Sequence, residues 1–146
     1  MRAITLYRLA HWLFRRHVPL LPGLITRVIY LAYNCYIPAE CEIGDGTALG
    51  YGGIGVVIHA RARIGRECII GTGVTIGGRS RIPGVPQIGD RVYIGTGAKI
   101  LGDVRVGSDV VIGGNAVVIR NVEDGCVVAG VPARVIRRGI RMQDYV

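Results

Sequence analysis

The residues able to do chemistry in this 146-residue chain are few: three histidines, four cysteines and an arginine-rich charge set. Imidazole is the natural general base near neutral pH. His11 and His17 stand among arginines near the N-terminus and read as surface or packing residues. His59 is different. It follows a glycine-crowded stretch, Gly50-Tyr51-Gly52-Gly53-Ile54-Gly55, and is the sole histidine in the middle of the chain. An exposed histidine without a task is the competing reading, and the general-base reading is placed ahead of it. Cys35, Cys41, Cys68 and Cys126 form no Cys-x-x-Cys pair and read as buried, reduced packing residues. No metal site is expected. The stretch 50–55 formally satisfies G-x-G-x-x-G, but a dinucleotide fingerprint needs a helix after it, and the sequence that follows is not helical in pattern. No Walker A sequence occurs.

Charge narrows the partners. The net charge is +8, carried by 17 Arg and the single Lys99. Residues 1–34 hold five arginines and no acid, and residues 134–146 hold four against Asp144. The middle is balanced, with nine basic and nine acidic residues. The basic excess therefore belongs to the two ends. Without zinc-finger spacing or an aromatic-interleaved basic stripe, no nucleic-acid partner is expected. A phosphate-bearing small molecule or an anionic membrane surface accounts for terminal arginines equally well. Residues 18–37 are apolar but contain Pro19, Pro22, Arg27 and Asn34, too interrupted for a spanning helix. With Trp12, Phe14, Tyr30, Tyr33 and Tyr36 nearby, residues 1–36 read as a helical cap on the main body, with peripheral membrane contact as the alternative. The expected location is cytoplasmic, with that alternative placing the chain at the inner membrane face.

The element that must position His59 is a repeat. Stepping by six from Ile58 gives Ile58, Ile64, Ile70, Ile76, Ile82, Ile88, Ile94, Ile100, Val106, Ile112 and Val118, all Ile or Val. Glycine follows in seven cases, and the fifth position of each hexad is mostly small, from Ala62 and Cys68 through Ser80 to Ala116 and Val122. A period of six fits neither helix nor simple strand. It fits a coil with three flat faces, aliphatic residue inward and glycine at a tight corner. Three hexads make one coil, so residues 43–122 give four to five coils. Of the 23 glycines, 21 lie between residues 35 and 133, which excludes collagen and argues against a helical bundle. Two places depart from phase: Leu49 to Ile58 has three residues too many, and Arg79–Pro86, with two prolines, reads as an outward loop.

The runs Ile94-Gly-Thr-Gly-Ala-Lys-Ile-Leu-Gly-Asp103, Ile112-Gly-Gly-Asn-Ala-Val-Val118 and Val128-Ala-Gly-Val-Pro-Ala-Arg-Val-Ile136 closely resemble the hexapeptide-repeat acyltransferases, most of all the serine O-acetyltransferase branch and its short relatives in surface-polysaccharide clusters. The resemblance implies a mainly β fold, a left-handed parallel β-helix with a short N-terminal helical segment. It also implies a homotrimer, with acetyl-CoA as co-substrate in a groove between subunits. The domain organisation expected is 1–36 helical, 37–132 β-helix and 133–146 a basic tail. By position, the resemblance places cofactor contacts at Thr96, Gly114, Ile119 and Arg120, with Arg134 and Arg137 near the CoA phosphates, where guanidinium forks suit phosphate. Two departures matter. Where the serine enzymes carry an Asp-His pair this chain reads Gly50-Tyr51-Gly52, and where they carry a second histidine before proline it reads Val85-Pro86. These departures move the expected base to His59 and the expected acceptor from serine to a sugar hydroxyl, bound near Tyr51, Gly53 and Arg81. Serine remains the alternative acceptor, and a non-catalytic trimeric scaffold the alternative of another class.

Overall fold

The computed structural model describes residues 2–146. Two helices come first, α1 (Ala3–Arg15) and α2 (Leu21–Tyr33). In α1 the buried residues are Ala3, Tyr7 and Ala10, and in α2 Pro22, Thr26 and Ile29. Each set is spaced i, i+4, i+7 and forms one inward stripe. Positive φ at His17 and Leu20 turns the chain between them, and Asn34 ends α2 in the left-handed helical conformation.

Twelve short strands then wind four coils of three. The first coil is β1 (Glu42–Ile43), β2 (Ala48–Leu49) and β3 (Val57–Ile58). The second is β4 (Arg63–Ile64), β5 (Ile69–Ile70) and β6 (Thr75–Gly77). The third is β7 (Gln87–Ile88), β8 (Val92–Ile94) and β9 (Lys99–Leu101). The fourth is β10 (Arg105–Val106), β11 (Val110–Ile112) and β12 (Val117–Val118). A partial fifth coil carries β13 (Cys126–Ala129), and β14 (Arg134–Arg138) doubles back on it antiparallel. Like strands of successive coils stack in parallel. The first face is β1-β4-β7-β10, the second β2-β5-β8-β11-β13 and the third β3-β6-β9-β12. This is a three-sided parallel β-helix.

The register measures each departure from period six. Leu49 pairs Ile70, 21 residues on, so the first coil has the three surplus residues. Ile64, Ile70 and Ile76 pair Ile88, Ile94 and Ile100, 24 residues on, so the third coil is reached through a six-residue excursion. Ile82 therefore sits in a loop at 36% exposure rather than in a wall, and Ser80, expected at an inner corner, is exposed beside it. The last coil is two residues short. Val122, expected as a corner residue, stacks on Val106 as a wall residue. Asp124, which strict phase would put in the wall, turns its Oδ1 to the Ser108 N–H at 2.8 Å. The other ten Ile and Val positions are at most 5% exposed and build the core. Each contributes about 1.5–3 kcal/mol by burial.

The hexad glycines serve a purpose other than the one expected. Gly65, Gly71, Gly89, Gly95, Gly107 and Gly113 do not have left-handed φ. They are glycine because the next coil lies too close: a Cβ on Gly71 would stand 2.7 Å from the Thr96 nitrogen, and one on Gly95 2.6 Å from that of Gly114. The left-handed corner positions lie two residues further on, at Gly73, Gly97 and Asn115 on one corner and Glu67, Arg91 and Asp109 on another.

Both ends of the helix are covered. From α1, Tyr7 donates its hydroxyl to the Cys41 carbonyl at 2.6 Å, and Arg8 donates to the carbonyls of Ile43 and Gly44 at 2.5 and 2.6 Å. His11 Nδ1 lies 2.8 Å from the Ala39 carbonyl. These bonds occupy the carbonyls at the open edge of the first face. At the other end, the basic segment 133–146 folds back on the last coil. β14 pairs with β13, and Met142 is buried against Val111 and Val127. No helix among the described residues is long and apolar enough to cross a membrane.

Candidate functional site

The third face decides where each candidate residue stands. Its strands are only two or three residues wide, so it has two nearby edges. The edge after the second face begins at the loop 50–55 and continues through Gly71-Thr72-Gly73, Gly95-Thr96-Gly97 and Gly113-Gly114-Asn115. The edge before the first face begins at His59 and continues through Gly77-Gly78, Leu101 and Ile119-Arg120. Four residues of extended chain separate the edges at the first coil, roughly 13 Å.

Tyr51, Gly53, Thr96 and Gly114 therefore stand on one edge, and His59, Arg81, Ile119 and Arg120 on the other. The loop 50–55 was expected beside His59. It leaves the coil across the third face instead, because its surplus residues precede β3 while His59 follows it. The loop that does share the edge of His59 is 78–86. A Cβ on Gly78 would meet the His59 ring at 3.9 Å, and Arg61 donates from Nη2 to the Pro83 carbonyl at 2.9 Å. Arg79 and Arg81 are exposed on this loop, Arg81 with left-handed φ.

His59 is half-buried, its amide held by the Ile76 carbonyl at 2.8 Å. Its Nδ1 accepts the Arg61 backbone N–H at 3.0 Å. That contact assigns the proton of the neutral ring to Nε2. As placed, Nε2 is a donor, and Nδ1 is free to take a substrate proton only when the ring turns away from Arg61. Arg61 was not singled out in the sequence, and the His-x-Arg spacing was the only signal for it.

On the opposite edge Thr96 is exposed, with Thr72 Oγ1 at 3.5 Å, and its carbonyl accepts the Asn115 N–H at 2.8 Å. A Cβ on Gly114 would stand 3.4 Å from that carbonyl. The sole lysine, Lys99, extends from the third face to this edge and donates to the carbonyls of Gly73 and Gly97 at 2.6 and 3.0 Å. It fixes a positive charge beside Thr96, a feature that its composition count alone did not reveal. Tyr51 is 89% exposed, but Gly53 is buried, its φ left-handed and the space for a Cβ filled by Leu49 at 2.9 Å. Gly53 turns the loop and offers no side-chain space of its own.

The far end of the third face is closed by the segment 130–133, where Gly130 and Ala133 bond to the Val117 backbone at 3.0 and 2.8 Å. Arg134 and Arg137 follow on β14, exposed, with Arg137 bonded to the Tyr145 hydroxyl at 3.0 Å. The four cysteines are free and buried. Desolvation pushes the Cys41 thiol up to about 12 and also raises Cys35 and Cys68, so none of these three is a ready nucleophile. No cluster of metal-ligating side chains occurs among the described residues.

Fold and repeat together define a hexapeptide-repeat β-helix, and residues 86–120 match the family described as bacterial transferase hexapeptide (six repeats). Within that class the likeness is to serine acetyltransferases. The chain is 38% identical over 69 residues to the serine acetyltransferase of Synechococcus elongatus, covering 47% of this chain and 28% of that one. The structure of serine acetyltransferase from Brucella abortus strain S19 in complex with coenzyme A superposes with a TM-score of 0.90 at 33% identity, over 95% of this chain and 56% of that one. Soybean serine acetyltransferase complexed with serine gives 0.86 at 33% identity, over 92% and 56%. The fold is thus the left-handed parallel β-helix of these enzymes. The chain spans just over half the length of these solved relatives. None of the comparisons supports a polysaccharide acceptor; the relatives are serine acetyltransferases.

Proposed function

We propose that this protein is an acetyl-CoA-dependent O-acetyltransferase whose acceptor is a small hydroxyl compound, with L-serine the first candidate. The observation that carries this reading is the likeness to coenzyme A-bound serine acetyltransferase over 95% of the chain. The acceptor hydroxyl attacks the thioester carbonyl. With its ring turned away from Arg61, His59 takes the proton at Nδ1 and returns one to the departing CoA thiolate, giving an ester and free CoA. Gly78 is exposed beside the His59 ring, and its backbone N–H is the proposed donor to the oxyanion. With its four cysteines buried, the chain acts by direct transfer rather than through an acyl-cysteine.

The two edges of the third face do not converge within one chain. A homotrimer resolves this, because the His59 edge of one copy then borders the Thr96 edge of the next. The outward ladders support that arrangement. The outer side of the first face is polar, with Glu42, Arg63, Gln87 and Arg105, while that of the second is apolar, with Ile69 and Tyr93 half-buried and Val111 already covered by Met142. The groove so formed takes the pantetheine along Thr96, Gly114 and Ile119, with Arg120, Arg134 and Arg137 toward the phosphates. Tyr51 and Arg81 then stand at its acceptor end.

A sugar acceptor is the second reading, favoured by Gly50-Tyr51-Gly52 and Val85-Pro86 in place of the serine-site histidines. Thiol release from acetyl-CoA, followed with L-serine and separately with a panel of sugars, distinguishes the two. Release with serine is expected; release with a sugar alone moves the acceptor. No release with any acceptor, together with a melting temperature unmoved by millimolar acetyl-CoA, reduces the chain to a scaffold.

A further inference from the structure

The helical hairpin of α1 and α2 carries a surface that the transferase reading does not use. On α2, Leu24, Val28 and Leu31 are 56%, 45% and 82% exposed, and their spacing of four and three places them on one outer stripe. Trp12 on α1 is 51% exposed, with the Arg16 guanidinium over its ring at 4.7 Å. Leu20, in the turn between the helices, is 90% exposed. This end of the molecule also has an extreme charge: residues 2–34 contain five arginines and no acid. Only Arg8 of these is spent on the β-helix. Arg27 shares an open hollow of about 670 Å³ with Phe14, Leu24 and Glu40, so charged and apolar side chains line the same surface.

We infer that this hairpin docks the protein on an anionic phospholipid bilayer, lying in the interface and not crossing it. Three observations select this occupant. The helical segment that carries the apolar stripe, residues 2–34, holds five arginines and no carboxylate, with Glu40 the one acid lining the adjoining hollow, and this excess of cations suits a surface of phosphate headgroups over acyl chains. Trp12 joins an apolar ring to a stacked guanidinium, the combination that sits at headgroup depth. A second copy of the same hairpin would bring the arginines of both copies together with no carboxylate of either helix to offset them. The opposite, inward side of α1 is already committed to the first coil through Tyr7 and Arg8, so docking leaves the β-helix intact. The inference is independent of the transferase reading.

The test uses the full chain and the fact that Trp12 is its only tryptophan. Sedimentation with vesicles of phosphatidylcholine containing 30 mol% phosphatidylglycerol, as an order-of-magnitude physiological charge, should carry down the protein and shift Trp12 emission to the blue. Pure phosphatidylcholine vesicles should bind at least tenfold less, and raised salt should release the protein from the anionic ones. Leu24→Glu/Leu31→Glu and Arg16→Glu/Arg27→Glu should each weaken anionic-vesicle binding at least tenfold, with circular dichroism and acetyl transfer unchanged. Binding that ignores lipid charge overturns the proposal, as does absence of binding by the wild type. So does a wild type that elutes at twice the mass of the Leu24→Glu/Leu31→Glu variant, since a second copy then covers the stripe.

Discussion

At the scale of single residues, His59 and the cysteines carry opposite expectations. His59→Ala should lower turnover by about 10²–10⁴, the range for loss of a general base, with KM for acetyl-CoA little changed. Thiol release at saturating acetyl-CoA checks this, and full turnover in the variant removes His59 from the reaction. The four cysteines should be silent to a disulfide exchange reagent in the native protein near pH 8 and should all react in urea. Cys41 adds a pH dependence. Its thiol is raised by burial from an ordinary value near 9 to about 12 in the folded chain. The folded state thus holds a proton that the unfolded chain releases above pH 9. Stability contributed by the protonated thiol is complete below pH 9 and falls as pH climbs toward 12. A melting temperature that declines over this window, and declines less in Cys41→Ala, is the expected result.

At the scale of elements, the coil spacing makes two glycine substitutions behave oppositely. Gly95→Ala forces a methyl against the Gly114 nitrogen at 2.6 Å, and both partners are backbone. It should cost about 2 kcal/mol or more and lower the urea midpoint, because neighbouring coils must separate. Gly23→Ala in α2 meets nothing within 4 Å and should raise stability by about 0.5–1 kcal/mol through helix propensity. Ile94→Ala, at the centre of the stack and 0% exposed, should cost about 2–5 kcal/mol in the same measurement. If Gly95→Ala proves as benign as Gly23→Ala, glycine is not set by coil approach.

At the scale of the whole molecule, the split between the two edges of the third face predicts shared sites. Light scattering should give three times the 15.7 kDa chain mass. Mixed trimers of His59→Ala and a variant disabled on the opposite edge, Thr96→Trp, should recover part of the activity that each lacks alone, since some grooves then combine two intact edges. Mixtures as inactive as their components would place both edges of a site on one chain.

The sequence by itself determined the repeat, the approximate number of coils and both loops. Period six is a local property, written in every hexad from Ile58 to Val118, and burial of one aliphatic residue per face follows from it. It also located the cationic ends and the inert cysteines. Tertiary structure alone decided which edge each candidate occupies. Loop 50–55 and His59 are close in sequence, yet β3 lies between them and turns them to opposite edges, while residues 78–86 reach His59 only through stacking of the second coil on the first. Phase errors behaved likewise. Ile82 keeps the period and leaves the wall, and Val122 breaks it and joins the wall, because pairing between coils fixes register and the spacing along the chain only proposes it. The last coil shows the same ordering of causes: Arg134 and Arg137 fall in the segment read as a basic tail, and an antiparallel return onto β13 holds them at the end of the second face.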